Sequence, residues 1–177
     1  GAINVASLRN AHGKKVAFLS QLCITFSDQT THFIISDENW KTSTGPIVKS
    51  DPKKGEIYDA RLEKSGWNEV GFADADWGLV NLADFGYENL IPTESVPIRK
   101  KETFKPQRVF STPAGESVID FGQNLAGIVR MRVEGERGTR VTLTHSEVLD
   151  EDGNFALDYF GTAVGGSFSQ VDEYILK

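Results

Sequence analysis

The first half of the chain alternates apolar and polar residues with a period of two. Between residues 16 and 26 the even-numbered positions Val16, Phe18, Leu22, Ile24 and Phe26 are apolar. This spacing is typical of a β-strand, in which successive side chains point to opposite faces. Turn residues follow at positions 27–30, and an extended apolar pattern resumes at positions 32–35. The pattern predicts a β-hairpin over residues 16–36.

A second alternation lies between residues 129 and 145. Its apolar positions are Val129, Met131, Val133, Val141 and Leu143. Turn residues at positions 134–138 divide it, so we expect a second hairpin with one apolar and one polar face. Residues 118–121 and 146–149 extend its strands. His145 falls on the apolar face, which predicts a core histidine with a backbone partner.

The remaining segments carry turn chemistry rather than a helical pattern. Residues 41–55 contain Gly-Pro and Asp-Pro dipeptides and little apolar content, which predicts a long irregular surface connection. Residues 120–127 predict a sharp turn between two strands, and residues 150–154 predict a hairpin turn. Residues 71–77 form a cluster of acids and aromatics. With no convincing helical stripe, the sequence predicts an all-β fold arranged as a β-sandwich.

Residues 55–68 concentrate charge, aromatic surface and turn residues. Read as a strand, the stretch places Asp59 and Arg61 on one face and Glu56 on the other. Trp67 follows directly after a Ser-Gly turn. A carboxylate, a guanidinium and an indole close together can bind a sugar, because hydroxyls pair with charged groups and a pyranose face packs on an aromatic ring. The candidate carbohydrate-binding residues are Glu56, Asp59, Arg61 and Trp67.

The same stretch allows a structural interpretation. Asp59 and Arg61 would then form an ion pair at a domain seam, and Trp67 would anchor a core. We favour this interpretation, because structural ion-pair networks also occupy such positions. It predicts that Trp67 is buried.

The composition excludes several classes of partner. The 177 residues, 39% hydrophobic and 25% charged, are close to the soluble globular average and suffice for one or two domains. A net charge of −6 and basic residues in isolated pairs argue against nucleic acid. No apolar run approaches the roughly 20 residues of a membrane span, and the first residues lack signal-peptide features. We expect a mature, processed or excised chain without a membrane partner, and a buried Cys23.

Motifs for common catalytic chemistry are missing from the sequence. The three histidines are far apart and lack the spacing of a transition-metal site, and no G-x-S-x-G is present. Acidic residues are abundant, but acids at this abundance are usually solvated or form turns. We therefore assign no catalytic residue.

Several short motifs occur in a fixed order along the chain. They are residues 37–40, Gly45-Pro46-Ile47, Gly55-Glu56 with Tyr58-Asp59-Ala60-Arg61, Gly66-Trp67, Pro97-Ile98-Arg99, residues 120–124 with Gly127, His145-Ser146-Glu147 and Asp172-Glu173-Tyr174. In this order they resemble the non-catalytic front part of bacterial α-L-rhamnosidases. The combination of GE-x-YDAR with DFGQN is specific, although either motif alone is weak.

The resemblance implies a fold and a context. Residues 1–100 would form a jelly-roll-like β-sandwich similar to galactose-binding modules, and residues 101–177 the opening strands of a second β-sandwich. The parent would be an inverting glycoside hydrolase, periplasmic or secreted, that removes terminal α-L-rhamnose from glycans or glycosides. Its acid and base would belong to an α/α-barrel of the same polypeptide, so this chain alone would be inactive. The alternatives are an independent carbohydrate-binding module and a structural spacer.

The resemblance also bears on cofactors. Some relatives bind rhamnose through calcium on a module of this kind, with an aspartate in the region matching Asp59. Asparagine often follows that aspartate, whereas Ala60 has no oxygen to offer a hard cation here. The resemblance therefore requires no cofactor, allows calcium at Asp59, and suggests a rhamnose-containing glycan as ligand.

Overall fold

The computed structural model describes residues 15–51, 54–156 and 170–177. Within them the chain forms ten strands and one short 3-10 helix, Ala60–Leu62. The strands are β1 Gln21–Thr25, β2 Thr31–Ile35, β3 Lys41–Thr42, β4 Ile47–Asp51, β5 Gly55–Asp59, β6 Gly78–Leu79, β7 Arg108–Ser111, β8 Ser117–Asp120, β9 Arg140–Thr144 and β10 Val171–Ile175. The described residues contain no α-helix, and the predicted all-β class is confirmed.

The first hairpin is confirmed as the pair β1–β2. The two strands are antiparallel, with Cys23 opposite Phe33. The turn is fixed by Asp28, whose Oδ1 accepts hydrogen bonds from the amide and the hydroxyl of Thr30 at 3.0 and 2.6 Å. Cys23 is exposed rather than buried, and no other described strand pairs with this hairpin.

The largest sheet joins distant parts of the chain. Its strand order is β4-β5-β10-β9, with β5 and β10 parallel and the other neighbours antiparallel. It therefore combines strands from both sides of the predicted domain boundary at residue 100. The expectation that residues 41–55 form an irregular connection is wrong, because β3 and β4 lie in this segment and β4 pairs with β5.

The predicted second hairpin is wrong in its pairing. Residues 128–133 form no strand, and β9 pairs with β10 instead. The turn at residues 134–138 is present, but it contacts the end of β10: the Gly138 amide donates to the Leu176 carbonyl at 2.9 Å. His145 is not a core residue either. Its Nε2 lies 3.0 Å from Asp172 Oδ2, and 36% of its side chain is exposed.

The turns predicted at residues 120–127 and 150–154 are both present. In the hairpin turn at residues 150–154, Asp150 Oδ1 accepts from the amides of Asp152 and Asn154 at 3.1 and 2.7 Å. In the sharp turn after β8, the Gly122 amide donates to Asp120 Oδ1 at 2.7 Å. The strand predicted to follow that turn does not form.

The core of the described residues lies beside the β5–β10 pair. Its buried apolar side chains are Ala60 and Ile175, which are 2% and 7% exposed. Next to them the rings of Tyr58 and Tyr174 stack with centroids 5.3 Å apart. This packing positions the segment that follows β5.

Elsewhere the chain leaves much apolar surface uncovered. Leu22 and Phe33 of the first hairpin remain 54% and 53% exposed. The faces of the sheets are therefore largely uncovered by the chain itself. Among the described residues, no helix has the length and apolar character needed to cross a bilayer.

Candidate functional site

A groove of about 530 Å³ lies beside the segment that follows β5. We call it the Trp67 groove; six of its lining residues are Ser43, Tyr58, Glu63, Lys64, Trp67 and Trp77. Its volume falls within the range of about 300–1,000 Å³ that is usual for small-molecule sites. It is therefore a candidate for ligand binding.

Two turns of the backbone bring the groove residues together. After the 3-10 helix, the Trp67 amide donates to the Lys64 carbonyl at 3.3 Å, and Gly66 adopts a left-handed φ of 76°. The short pair β3–β6 places Lys41 and Thr42 of β3, and Trp77 just before β6, along the same groove. The Trp77 amide donates to the Asp74 carbonyl at 3.0 Å just before β6. Indole rings from two separate segments therefore line one groove.

The two indoles differ in exposure. Trp67 is 62% exposed, so its predicted burial in a core is wrong: it is part of the groove surface instead. Trp77 is partly buried, and its ring meets Phe72 edge-on with centroids 5.7 Å apart. Its Nε1 is buried and finds no acceptor among the described residues. A buried donor without an acceptor costs about 1–3 kcal/mol, and because the protein covers this nitrogen, a molecule in the groove does not reach it.

Glu63 is already engaged inside the groove. It accepts a hydrogen bond from the Tyr58 hydroxyl at 2.9 Å and pairs with Lys177. The hydrogen bond from Lys177, with a smaller contribution from Tyr58, holds the pKa of Glu63 below its usual value. Burial, followed by the Glu63 contact, raises the pKa of Tyr58 to about 12. Near neutral pH Glu63 is therefore ionised, and Lys177 balances its negative charge.

Lys64 is the cation of the groove that lacks a carboxylate partner in the described part of the chain. Its Nζ lies 5.2 Å from the centroid of the Trp77 ring and donates to Ser43 Oγ. Both contacts are weaker substitutes for a carboxylate. Lys41, which also lines the groove, is paired with Asp74 at 2.8 Å.

Asp59 and Arg61 meet, but not in the way that the strand pattern predicts. β5 ends at Asp59, and Arg61 belongs to the 3-10 helix that Asp59 caps. Asp59 accepts from Arg61 Nε at 2.8 Å, from Nη2 at 2.7 Å and from the backbone amide at 3.1 Å. Because the side-chain hydrogen bond from Arg61 stabilises the ionised form, the pKa of Asp59 is lowered. The ion pair is present, and neither residue lines the groove.

The structure separates the four candidate carbohydrate-binding residues. Only Trp67 lines the groove. Asp59 is buried at 7% exposure beneath its ion pair, and the Glu56 amide donates to Asp172 Oδ1 at 2.7 Å on the β10 side. The sequence reasoning missed Lys64 and Trp77 as groove residues. The cluster at residues 71–77 was the available signal, but the β3–β6 contact that brings it close is two residues long and leaves no pattern.

The described residues provide no group of three or more histidine, cysteine, aspartate or glutamate side chains that could hold a metal ion. Both carboxylate oxygens of Asp59 already accept from Arg61. A cation at Asp59 would therefore have to compete with the guanidinium.

The fold is all-β and consists of several small sheets. Comparison with known protein families identifies the family of the chain. Residues 2–102 match the α-L-rhamnosidase N-terminal domain, and residues 110–177 match the bacterial α-L-rhamnosidase concanavalin-like domain. The chain belongs to the α-L-rhamnosidase N-terminal domain family, as the sequence motifs predict. It corresponds to a non-catalytic N-terminal region of these proteins.

Individual relatives agree with the family assignment. The α-L-rhamnosidase of Streptomyces avermitilis is 39% identical over 94% of this chain and 16% of its own length. One from Formosa agariphila is 34% identical over 88% of this chain, again 16% of its length. The chain thus spans about a sixth of these curated relatives.

Solved structures show the same fold within longer chains. The native α-L-rhamnosidase of Aspergillus terreus matches with a TM-score of 0.88 and 36% identity, over 100% of this chain and 20% of that one. The Streptomyces avermitilis enzyme complexed with L-rhamnose matches with a TM-score of 0.76 and 36% identity, over 90% of this chain and 15% of that one.

Proposed function

We propose that this chain is the accessory part of an α-L-rhamnosidase that hydrolyses terminal α-L-rhamnose from glycans or glycosides. The supporting observation is the order of the two family matches along one chain. The catalytic acid and base would belong to an α/α-barrel domain of the same polypeptide. Large uncovered apolar faces are consistent with a chain that packs against such a neighbour.

The four-stranded sheet suggests how the accessory part is built. We place the domain boundary near residue 100, with a jelly-roll-like module before it and strands of a second sandwich after it. The parallel pair β5–β10 then joins the two modules, because Tyr58 lies opposite Tyr174 and Asp59 opposite Ile175 across that boundary. The proposed structural role is to fix the relative position of the modules.

The proposal predicts that the chain on its own releases no nitrophenol from 4-nitrophenyl α-L-rhamnoside. The acids around the groove are held in pairs, as Glu63 is with Lys177 and Asp74 with Lys41, which leaves them poor candidates for proton transfer. The complete gene product is the positive control and should hydrolyse the same substrate. Release by the isolated chain that disappears when one of its own acids is mutated would place the catalytic centre here.

A second candidate function is carbohydrate binding at the Trp67 groove. Trp67 offers an exposed ring face on which a pyranose can pack. Lys64, which also lines the groove, offers an ammonium as donor, and sugar hydroxyls accept hydrogen bonds readily. The groove combines both features within one cavity. Calcium-assisted binding at Asp59 is the competing arrangement.

Trp67→Ala distinguishes a groove surface from a core anchor. Because the ring is 62% exposed, we expect the free energy of unfolding to fall by less than about 1 kcal/mol. Retention on a rhamnose-containing polysaccharide gel should be lost. Urea denaturation and affinity electrophoresis give the two readouts. The control is Phe85→Ala, which removes an aromatic ring of 60% exposure outside the groove and should leave retention intact. A fall of about 3 kcal/mol in the free energy of unfolding of Trp67→Ala would restore the core interpretation.

A further inference from the structure

We propose that the Trp67 groove selects an acidic sugar, in which the carboxylate of a uronic acid residue pairs with Lys64. This inference rests on the proposed carbohydrate-binding function of the groove and adds a ligand class to it. It depends on two features of the cavity: the exposed indole face of Trp67 and Lys64, a cation without a carboxylate partner in the described residues.

The charge balance of the groove carries the inference. Lys41 and Glu63 are each neutralised by an oppositely charged side chain, Asp74 and Lys177 respectively. Lys64 has instead the face of Trp77 and the hydroxyl of Ser43. The net charge contributed by these pairs and Lys64 is thus one positive charge. A partly buried ammonium is stabilised by a carboxylate more than by a neutral hydroxyl.

Both features line the same groove. A pyranose ring packed on Trp67 would lie in the cavity that Lys64 also lines. A carboxylate on that ring or on its neighbour would replace Ser43 as the partner of Lys64. A neutral sugar could pack on Trp67 but would leave the ammonium with its present contacts. The carboxylate is therefore the group that should make an acidic sugar bind more tightly than a neutral one.

The charge of the whole chain makes this selectivity informative. With a net charge of −6, the protein as a whole repels anions. Tighter binding of an acidic sugar than of its neutral counterpart must therefore come from a local cation. It should also weaken as salt rises, because screening acts on this charge pair.

The test uses the complete gene product and trigalacturonic acid, with its methyl-esterified form as neutral counterpart. Neither probe is a rhamnoside, so a rhamnosidase does not consume them. In isothermal titration calorimetry at low salt, we expect the acid to bind about ten-fold or more tightly than the ester, as one charge-assisted hydrogen bond would give. Raising the salt concentration should narrow the difference.

Matched variants assign the selectivity to one side chain. Lys64→Gln should remove the preference for the acid, while Lys64→Arg should keep it. Lys49→Gln, on the edge strand β4 away from the groove, should behave as the wild type. Trp67→Ala should weaken binding of acid and ester alike.

Each contrary result has a separate meaning. Equal affinity for acid and ester, with both lost in Trp67→Ala, would overturn the acidic-sugar inference and leave carbohydrate binding at the groove standing. A preference for the acid that persists in Lys64→Gln would also overturn it, since another cation would then be responsible. No binding of either probe, together with unchanged retention of a rhamnose-containing polysaccharide in Trp67→Ala, would overturn both proposals.

Discussion

Gly55→Ala should destabilise the chain by about 3 kcal/mol or more, the combined cost of a side chain at positive φ and of forced overpacking. Gly55 has φ +82°, and a β-carbon here would lie 2.2 Å from the Val171 carbonyl oxygen and 2.7 Å from Asp172 Oδ1. The obstacle is backbone, which cannot rotate away as a side chain does. Relief would require β5 and β10 to separate, with loss of the hydrogen bond from the Glu56 amide to Asp172.

Hydrogen–deuterium exchange provides a local measurement of this effect. In Gly55→Ala, amides of residues 55–59 and 171–175 should exchange faster, because both strands lose their shared ladder. Gly115→Ala is the matched control: Gly115 has φ +86°, and nothing lies within 4 Å of its added β-carbon. It shares the backbone strain without the clash. Equal losses in the two variants would mean that positive φ alone accounts for the effect.

The β5–β10 pair also shows the limit of the sequence pattern. The hairpin β1–β2 could be predicted, because its strands are separated by five turn residues and each carries a clear apolar pattern. β10 pairs in parallel with a strand more than 110 residues earlier, and no local signal encodes such a partner. The prediction therefore gave β9 its nearest apolar neighbour, residues 129–133, whereas β10 occupies that position.

In the candidate site, too, some features could be predicted from the sequence and others could not. The ion pair of Asp59 and Arg61 could be predicted, because residues two apart share a face in a strand; in the structure the same two residues meet because Asp59 caps the 3-10 helix. The exposure of Trp67 could not, since burial depends on which distant segments cover the ring. Lys41, Thr42 and Trp77 reach the groove through the pairing of β3 and β6, which are two residues each. Motif order was the most informative signal, because it identified the family before any contact was known.

Asp59→Asn should lower the melting temperature of the protein and leave sugar affinity at the groove unchanged. The carboxylate is 7% exposed and receives three hydrogen bonds from Arg61. Asparagine keeps one acceptor oxygen but turns an amide donor toward the guanidinium, so charge and part of the bonding are lost. Because Asp59 does not line the Trp67 groove, ligand contacts there remain intact.

The pH dependence gives this prediction a definite sign. The hydrogen bond from Arg61 lowers the pKa of Asp59 in the folded protein, so folding favours the ionised form. The stabilisation is therefore complete above the unfolded pKa of about 3.9 and is lost as pH falls through the lower folded value. The gap in melting temperature between wild type and Asp59→Asn should be constant near pH 7 and shrink below about pH 4.

Asp74→Asn is the matched control for an exposed pair. Its carboxylate bonds to Lys41 at 2.8 Å, but 49% of the side chain is exposed, and exposed ion pairs contribute little to stability. Its melting temperature should therefore fall less than that of Asp59→Asn. An equal fall would show that burial of the Asp59 pair adds nothing.

Calorimetry with L-rhamnose, with and without calcium, decides between the structural role of Asp59 and a metal-assisted site. A calcium ion would have to displace Arg61 from both carboxylate oxygens, and Ala60 supplies no side-chain oxygen in return. We therefore expect calcium to leave the heat of rhamnose binding unchanged in the wild type and in Asp59→Asn. Calcium-dependent heat in the wild type that vanishes in Asp59→Asn, with an unchanged melting temperature, would assign Asp59 to ligand binding instead.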